Sequence, residues 1–540
     1  MSRRARRLAW AAVFSLGLAG GAGFGQTWIP TGGSWSDSSK WTSIPSPSPG
    51  TTLVFPMLGS GSLSYTSTND LPGPFTVNHM AFQGVAGGSI VVGAGGFASM
   101  RFDGVTPAVS VSTGGSVRFD ARISSTAPLT AAPAPGGTIA FAGPLRLPSG
   151  LTISPSAGGA VGLLAENRIS GVVSVTGAGI NLGTVDSLGT ASLVANGASL
   201  SLGSATFATS PARPPFLANH ISIVGGDLKL GDHRSFTLTG NISGTGGIAL
   251  APSALTIGTW TLAGSNTFTG TITVNQAPGS VSPILNMLAF DGPAAIGNAA
   301  HVKLNGGGAA VGFLGRGTPY AVNQNLTIAN GGGIGVFERG GRAEITYAGN
   351  VSGDSGLTRL GEGILTLTGN NTFTGGLTLT GGITRASADS QLGAAGGTLH
   401  LAGGALVLSS GFSPSTARPL IAGMPAGTFH NEGNLTWAGA ILNNGTIPGG
   451  LIKDGPGHLT VTNNTNSVGS FTIQAGTVTA SGVGGRVVAT TTLTINQGGA
   501  LVLDNSQAHA ARISGTGSVS LRGATFRLVG NATINSNATT

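Results

Sequence analysis

Leu365 to Leu379 reads LTLTGNNTFTGGLTL, and Trp260 to Val274 reads WTLAGSNTFTGTITV. Each stretch has two alternating apolar residues, a Gly/Asn/Thr interruption, and two more alternating apolar residues. A weakened third copy has Leu459 and Val461, then NNTNSVG (Asn463 to Gly469), then Phe471 and Ile473. In all three the second apolar pair starts 12 residues after the first: Trp260 to Ile272, Leu365 to Leu377, Leu459 to Phe471. Apolar residues alternating with Thr or Ser put one face in a core and the other in water, the pattern of a half-buried strand. Gly and Asn at the interruptions suit the positive φ of sharp corners, and Asn side chains on stacked corners can form ladders. An antiparallel hairpin would close with a two-residue Asn-Gly turn. Here five or more residues, Thr and Phe among them, separate the strands, which predicts short strands turning corners in a continuous coil.

The self-similarity extends outward from these copies. GNISGTGGI (Gly240 to Ile248) matches GNVSGDSGL (Gly349 to Leu357), with ISGTGSV (Ile513 to Val519) as a late echo. TLHLAGGALVL (Thr398 to Leu408) matches TLTINQGGALVL (Thr492 to Leu503). A single coil cannot bury its own apolar face, so the array is the folding unit. At one strand spacing of about 4.8 Å per coil, some twenty coils would form a rod roughly 90 to 100 Å long.

At GNNTFTGGLTL the chain resembles the autotransporter-associated β-strand repeat of bacterial passenger proteins. Residues 353 to 408 carry the pattern best, 259 to 313 well, and 451 to 503 in weakened form. TWIPTGGSWSDSSKW (Thr27 to Trp41) is similar to the opening of many exported proteins with such repeats. The resemblance implies an all-β fold, a right-handed parallel β-helix (β-solenoid) of Gly/Thr/Asn-rich repeats, and the role of an autotransporter adhesin-like passenger domain. Autotransporters also carry a membrane β-barrel of alternating strands with aromatic girdles. This chain has only 3 Tyr and ends NATINSNATT, so no β-barrel translocator is expected within it.

Composition agrees with a strand-and-turn array. Of 540 residues, 95 are Gly, 8% are charged and 40% are apolar, which excludes charge-driven disorder. The absence of Cys excludes disulfides, thiolate metal sites and Cys nucleophiles together. Of the formal charge of +8, Arg3, Arg4, Arg6 and Arg7 supply four, so by subtraction about +4 is spread over the remainder. That is too thin overall for a nucleic-acid binder. MSRRARR followed by LAWAAVFSLGLAGGAG has the positive and apolar regions of a bacterial secretory signal peptide. No later apolar run is long enough for a helical membrane span. The predicted organisation is a signal peptide (1–25), a Trp-rich N-terminal cap region with a Pro-rich loop (26–58), a weakly repetitive β-solenoid segment (59–219) and the repeat-bearing β-helix (220–540).

Candidate sites are sparse. The densest charge cluster is Glu338, Arg339, Arg342 and Glu344 in FERGGRAEITY, which reads as a solvated turn with local ion pairs and, alternatively, as carboxylates acting on a glycan. Two RFD triplets, Arg101 to Asp103 and Arg118 to Asp120, could stack as a charge ladder. Asp232 and His233 form the only adjacent acid-His pair, without partners at metal-ligand spacing. Trp28, Trp35 and Trp41 read as a seal over the first coil, or as a platform for sugar rings. No catalytic, metal or cofactor residue is assigned. The sequence therefore predicts an exported, non-enzymatic β-helical rod, surface-displayed or secreted, serving as an adhesin or structural protein. Extracellular glycans or cell-surface or matrix components are the expected partners. The alternative is a polysaccharide-active β-helix enzyme, a lyase or hydrolase, or a glycan-binding module.

Overall fold

Short alternating segments become strands with one buried face. In SVRF (Ser116–Phe119), Val117 and Phe119 are fully buried while Arg118 points outward. The computed structural model describes residues 25–57, 64–84, 87–96, 98–154, 158–202, 216–231, 235–252, 258–276, 286–338, 342–413, 418–444, 448–482, 486–504, 507–510, 513–522, 525–528 and 534–535. The signal-peptide reading of residues 1–25 rests almost wholly on, and Asp232 and His233 fall entirely on, positions outside the described residues.

The strands stack in parallel as a β-solenoid of about 18 turns, close to the number expected. Parallel pairing needs a long return connection, and here the rest of the coil supplies it. The chain divides into two units, 1–171 and 172–540. In the first, one coil runs through Ala108–Val111, Ser116–Phe119 and Arg122–Ser125, and the next through Leu129–Pro133, Thr138–Phe141 and Leu145–Leu147. Each strand pairs with its successor one coil later: Val111 with Pro133, Phe119 with Phe141, and Ile123 with Leu145. Three parallel sheets thus wall the core of this unit.

In the second unit the best repeat copy forms a coil of a different kind. Leu357–Leu360 and Ile364–Leu367 make two walls, and Leu377–Leu379 returns to pair with the first. The intervening GNNTFTG is not the sharp corner that its Gly and Asn suggest. It runs extended as a third wall, with Asn371 and Phe373 inside and Asn370, Thr372 and Thr374 outside. The Thr372 and Thr374 N–H groups donate to Val351 O (2.8 Å) and Gly353 O (3.1 Å) of the preceding coil. Among the described residues the sole non-glycine with positive φ is Asn330, so the motif asparagines are not there for backbone freedom. Gly353, the second Gly of GNVSG, does carry that burden: its φ is 129°, and a Cβ there would overlap the Ile328 carbonyl. Gly244 repeats the arrangement in GNISG at φ 106°, against the Ile223 carbonyl.

Identical positions on successive coils bring identical side chains together. In the first unit Phe55 stacks on Phe82 at 5.0 Å and Phe119 on Phe141 at 5.4 Å, while Phe82 meets Phe119 edge-on at 5.7 Å. All four are fully buried. Each ring fills space that its neighbours on adjoining coils cannot reach. Phe119→Ala should therefore cost about 3–5 kcal/mol, and amide exchange in Ser116–Phe119 and Thr138–Phe141 should accelerate well before that in the second unit.

Candidate functional site

The repeat motif places polar side chains inside the core. Asn371 is only 3% exposed; its Oδ1 accepts from Val351 N–H (2.8 Å) and its Nδ2 donates to Gln391 O (2.6 Å). Val351 lies one coil earlier and Gln391 follows the motif, so one amide bridges backbone on both sides. Asn266 does the same between Ile242 N–H (2.8 Å) and Ala295 O (2.6 Å). In the decayed copy Asn466 accepts from Ile441 N–H at 2.8 Å. In the first unit, within the segment expected to be only weakly repetitive, Asn167 accepts from Leu145 N–H at 2.8 Å. Each satisfies a backbone donor that burial would otherwise leave without a partner. The two strong copies also share a 3₁₀ turn, Pro293–Ile296 and Asp389–Leu392, which supplies the bridged carbonyls or their neighbours.

The expected asparagine ladder exists on the outside, in a modified form. Asn350 N–H donates to Asn325 Oδ1 and Asn370 N–H to Asn350 Oδ1, both at 2.9 Å, and Ser265 N–H donates to Asn241 Oδ1 likewise. The rungs are backbone-to-side-chain, and they run along the exposed wall. The inner and outer asparagines thus differ in consequence. Asn371→Ala should destabilise its coil by about 1–3 kcal/mol through the orphaned Val351 N–H, seen as faster local amide exchange, whereas Asn370→Ala should fall within about 0.5 kcal/mol of wild type.

Among the described residues three cations that the sequence reading did not single out, Arg359, Arg418 and Lys453, are buried. Lys453 is fully buried, its Nζ donating to the carbonyls of Asp454 (2.7 Å), Gly455 (2.9 Å) and Ala475 (3.0 Å). Arg359 holds the same place in the stronger copy, bonding Gly361 O (3.1 Å) and Gly363 O (2.5 Å). LTRLGEG and LIKDGPG are therefore equivalent: a cation two residues before a Gly-x-Gly corner gathers the corner's carbonyls. Arg418 is fully buried and bidentate to Asp389 (3.0 and 3.1 Å), and also bonds Ala394 O and Gly397 O at 2.9 Å. This pair clamps the 3₁₀ turn, and only a coil-by-coil alignment could have revealed it.

Burial pushes the Lys453 ammonium down to about 8, against the opposing pull of Asp454. In the unfolded chain its ordinary value of 10.5 applies. Between these values the unfolded chain holds a proton that the folded chain lacks, so stability should rise with pH from about 8 to 10.5. The urea midpoint measured across that window should climb in the wild type, and Lys453→Met should remove this part of the slope.

The sequence-predicted candidates do not converge. Glu338 ends the strand Gly332–Glu338, while Glu344 begins Glu344–Tyr347 in a different sheet. Glu344 is ion-paired with Arg385 at 2.8 Å, the Glu338 N–H donates to Glu362 Oε1 at 2.8 Å, and Arg342 is exposed. Arg339 lies outside the described residues. The RFD charge ladder is corrected: Arg101 and Arg118 lie on different sheets, and each pairs with its own aspartate, at 3.0 Å to Asp103 and 2.7 Å to Asp120. Seventeen residues is short of the roughly 22-residue coil seen there, as in Phe119 to Phe141, so the triplets fall on different walls, with the strand Ala108–Val111 of the third sheet between them. The described histidines are dispersed; His79, His301 and His458 each bond a hydroxyl on another strand. Among the described residues no group of three or more His, Asp or Glu could hold a metal ion.

Trp28, Trp35 and Trp41 form an inward cluster over Phe55. Trp28 and Trp41 meet edge-on at 4.8 Å, Trp35 and Trp41 at 5.8 Å, and Trp35 and Phe75 at 5.1 Å. Every indole N–H is bonded internally, to Thr31 O, Ser67 Oγ and Trp35 O respectively. None of the three is more than 4% exposed, so they present no open ring face to a sugar.

The geometry that recurs at Asn266, Asn371 and Asn466 coincides with a family match. The passenger-associated-transport-repeat profile matches residues 257–277, 357–385 and 451–480, the three copies described above. The chain carries three passenger-type repeats. The chain is 28% identical over 263 residues to the adhesin BmaC autotransporter of Brucella suis biovar 1 (strain 1330), a match covering 44% of the chain and 7% of that protein. It therefore corresponds to a small part of the relative's length. No solved structure matches the chain. No helix among the described residues is long and apolar enough to cross a membrane.

Proposed function

We propose that this chain is an exported, non-enzymatic β-helical rod, displayed on the bacterial surface or secreted, that serves in adhesion or in building an extracellular layer. The observation that carries the reading is the inward use of the repeat chemistry. The motif amides join coils and the buried cations hold corners and turns together, and the outer face is left as a repeating Thr/Ser/Asn surface. The acids proposed as alternative catalysts, Glu338 and Glu344, lie on separate walls, and Glu344 is held by Arg385. The relative's name, an autotransporter adhesin, supports the same role. Glycans or matrix components of another surface are its proposed partners.

Surface biotinylation of intact cells producing the full chain should label it, and a deletion strain should adhere less to glycan- or matrix-coated surfaces. Labelling only after lysis, or unchanged adherence, would remove the display reading. Release of reducing ends from polysaccharides by the purified chain would instead establish an enzyme.

A further inference from the structure

We propose that one sheet of the first unit binds an acidic polysaccharide bearing a carboxylate on each sugar. The sheet comprises Pro74–Val77, Ser99–Phe102, Arg122–Ser125, Leu145–Leu147 and Arg168–Ile169. On its last four strands the outward side chains are Ser99, Arg101, Arg122, Ser124, Arg146 and Arg168, with no carboxylate among them. Arg101, Ser124, Arg146 and Arg168 form one row in register, and Arg122 sits beside it opposite Ser99. At about 4.8 Å per rung, the row spans roughly 15 Å.

Folding alone gives no reason for this arrangement. Arg146 and Arg168 are direct cross-strand neighbours, and like charges so placed are destabilising. Both are exposed, as is Arg122, and no ion pair holds any of the three among the described residues. Arg101 is tied to Asp103, and Glu166, exposed and two residues before Arg168, makes no ion pair with it. The thin net charge of the whole chain thus hides a local concentration of guanidinium groups.

A planar guanidinium grips a carboxylate through two parallel hydrogen bonds, and a row of them suits an extended polymer with regularly repeated carboxylates. The flanking Ser99 and Ser124 hydroxyls suit sugar hydroxyls. Nucleic acid fits less well, because single strands need exposed aromatic faces on which bases stack. The sheet's own rings, Phe75 and Phe102, are buried inward. The inference supplies a ligand class for the adhesive role proposed above and rests on that reading for its setting; the binding itself is measured on the isolated chain.

The test is binding of the full chain to immobilised polygalacturonate, with dextran as the neutral control and single-stranded DNA as a second polyanion. Polygalacturonate should bind and dextran should not, and affinity should weaken as salt is added. The double variant R146Q/R168Q should lose about tenfold or more in affinity. R118Q, on another sheet, should stay within about twofold of wild type, and R146Q/R168Q should melt no lower than the wild type, because it relieves a like-charge pair. No polygalacturonate binding, binding insensitive to R146Q/R168Q, or equal or tighter binding of DNA would each overturn the proposal. Surface display with no polygalacturonate binding would sink this inference alone, whereas binding by a chain never displayed would sink the functional reading alone.

Discussion

The backbone hydrogen bonds between one coil and the next are the constraint on which everything else depends. Each strand's N–H and C=O groups find partners only in the coils before and after, so an unmatched residue leaves buried polar groups without partners. Where the walls are regular strands the ladder is self-sufficient. Where the wall is the irregular NTFT segment, the ladder has gaps, and the buried asparagines bridge them. Lys453, Arg359 and the Arg418–Asp389 pair do equivalent work at corners and turns, where several carbonyls point inward together. Burying a cation is costly, and it is tolerated because these carbonyl clusters would otherwise be unsatisfied. The apolar core then needs only to repeat, as the stacked phenylalanines do.

Much of this was legible in the sequence, for physical reasons. Side chains alternate in and out along a strand, so apolar alternation at Trp260 and Leu262, or Leu365 and Leu367, directly reports a wall. Copies with the same spacing report stacking. The roles of the interruptions were less legible, because Asn is both a good corner residue and a good amide bridge. GNNTFTG itself alternates once Asn371 is allowed inside, and excluding a polar residue from the core concealed that period. The buried cations were invisible for a related reason: Arg and Lys are assigned to the surface unless a partner is evident, and their partners here are backbone carbonyls.

The candidate sites illustrate a different limit. Trp28, Trp35 and Trp41 could be read from sequence as a seal or as a platform, and burial alone separates the two. The RFD triplets suggested stacking because they share a short spacing, but the coil length decides which residues are neighbours, and that length varies along the chain. With the register known, Arg101 aligns instead with Arg146 and Arg168, residues that share no motif. Surface chemistry in a solenoid is written across coils, and a linear reading passes over it.

The asparagine bridges also bear on how such an array responds to load. Strand-to-strand hydrogen bonds point along the stacking direction, so tension applied that way falls on one interface at a time, and the weakest interface opens first. Asn266 and Asn371 each grip backbone both before and after their own segment. Opening an interface beside either residue must break a buried side-chain bond as well as the ladder. The repeat copies would then act as reinforced joints, leaving the plainer coils between them to yield first and lengthen the chain without releasing its ends.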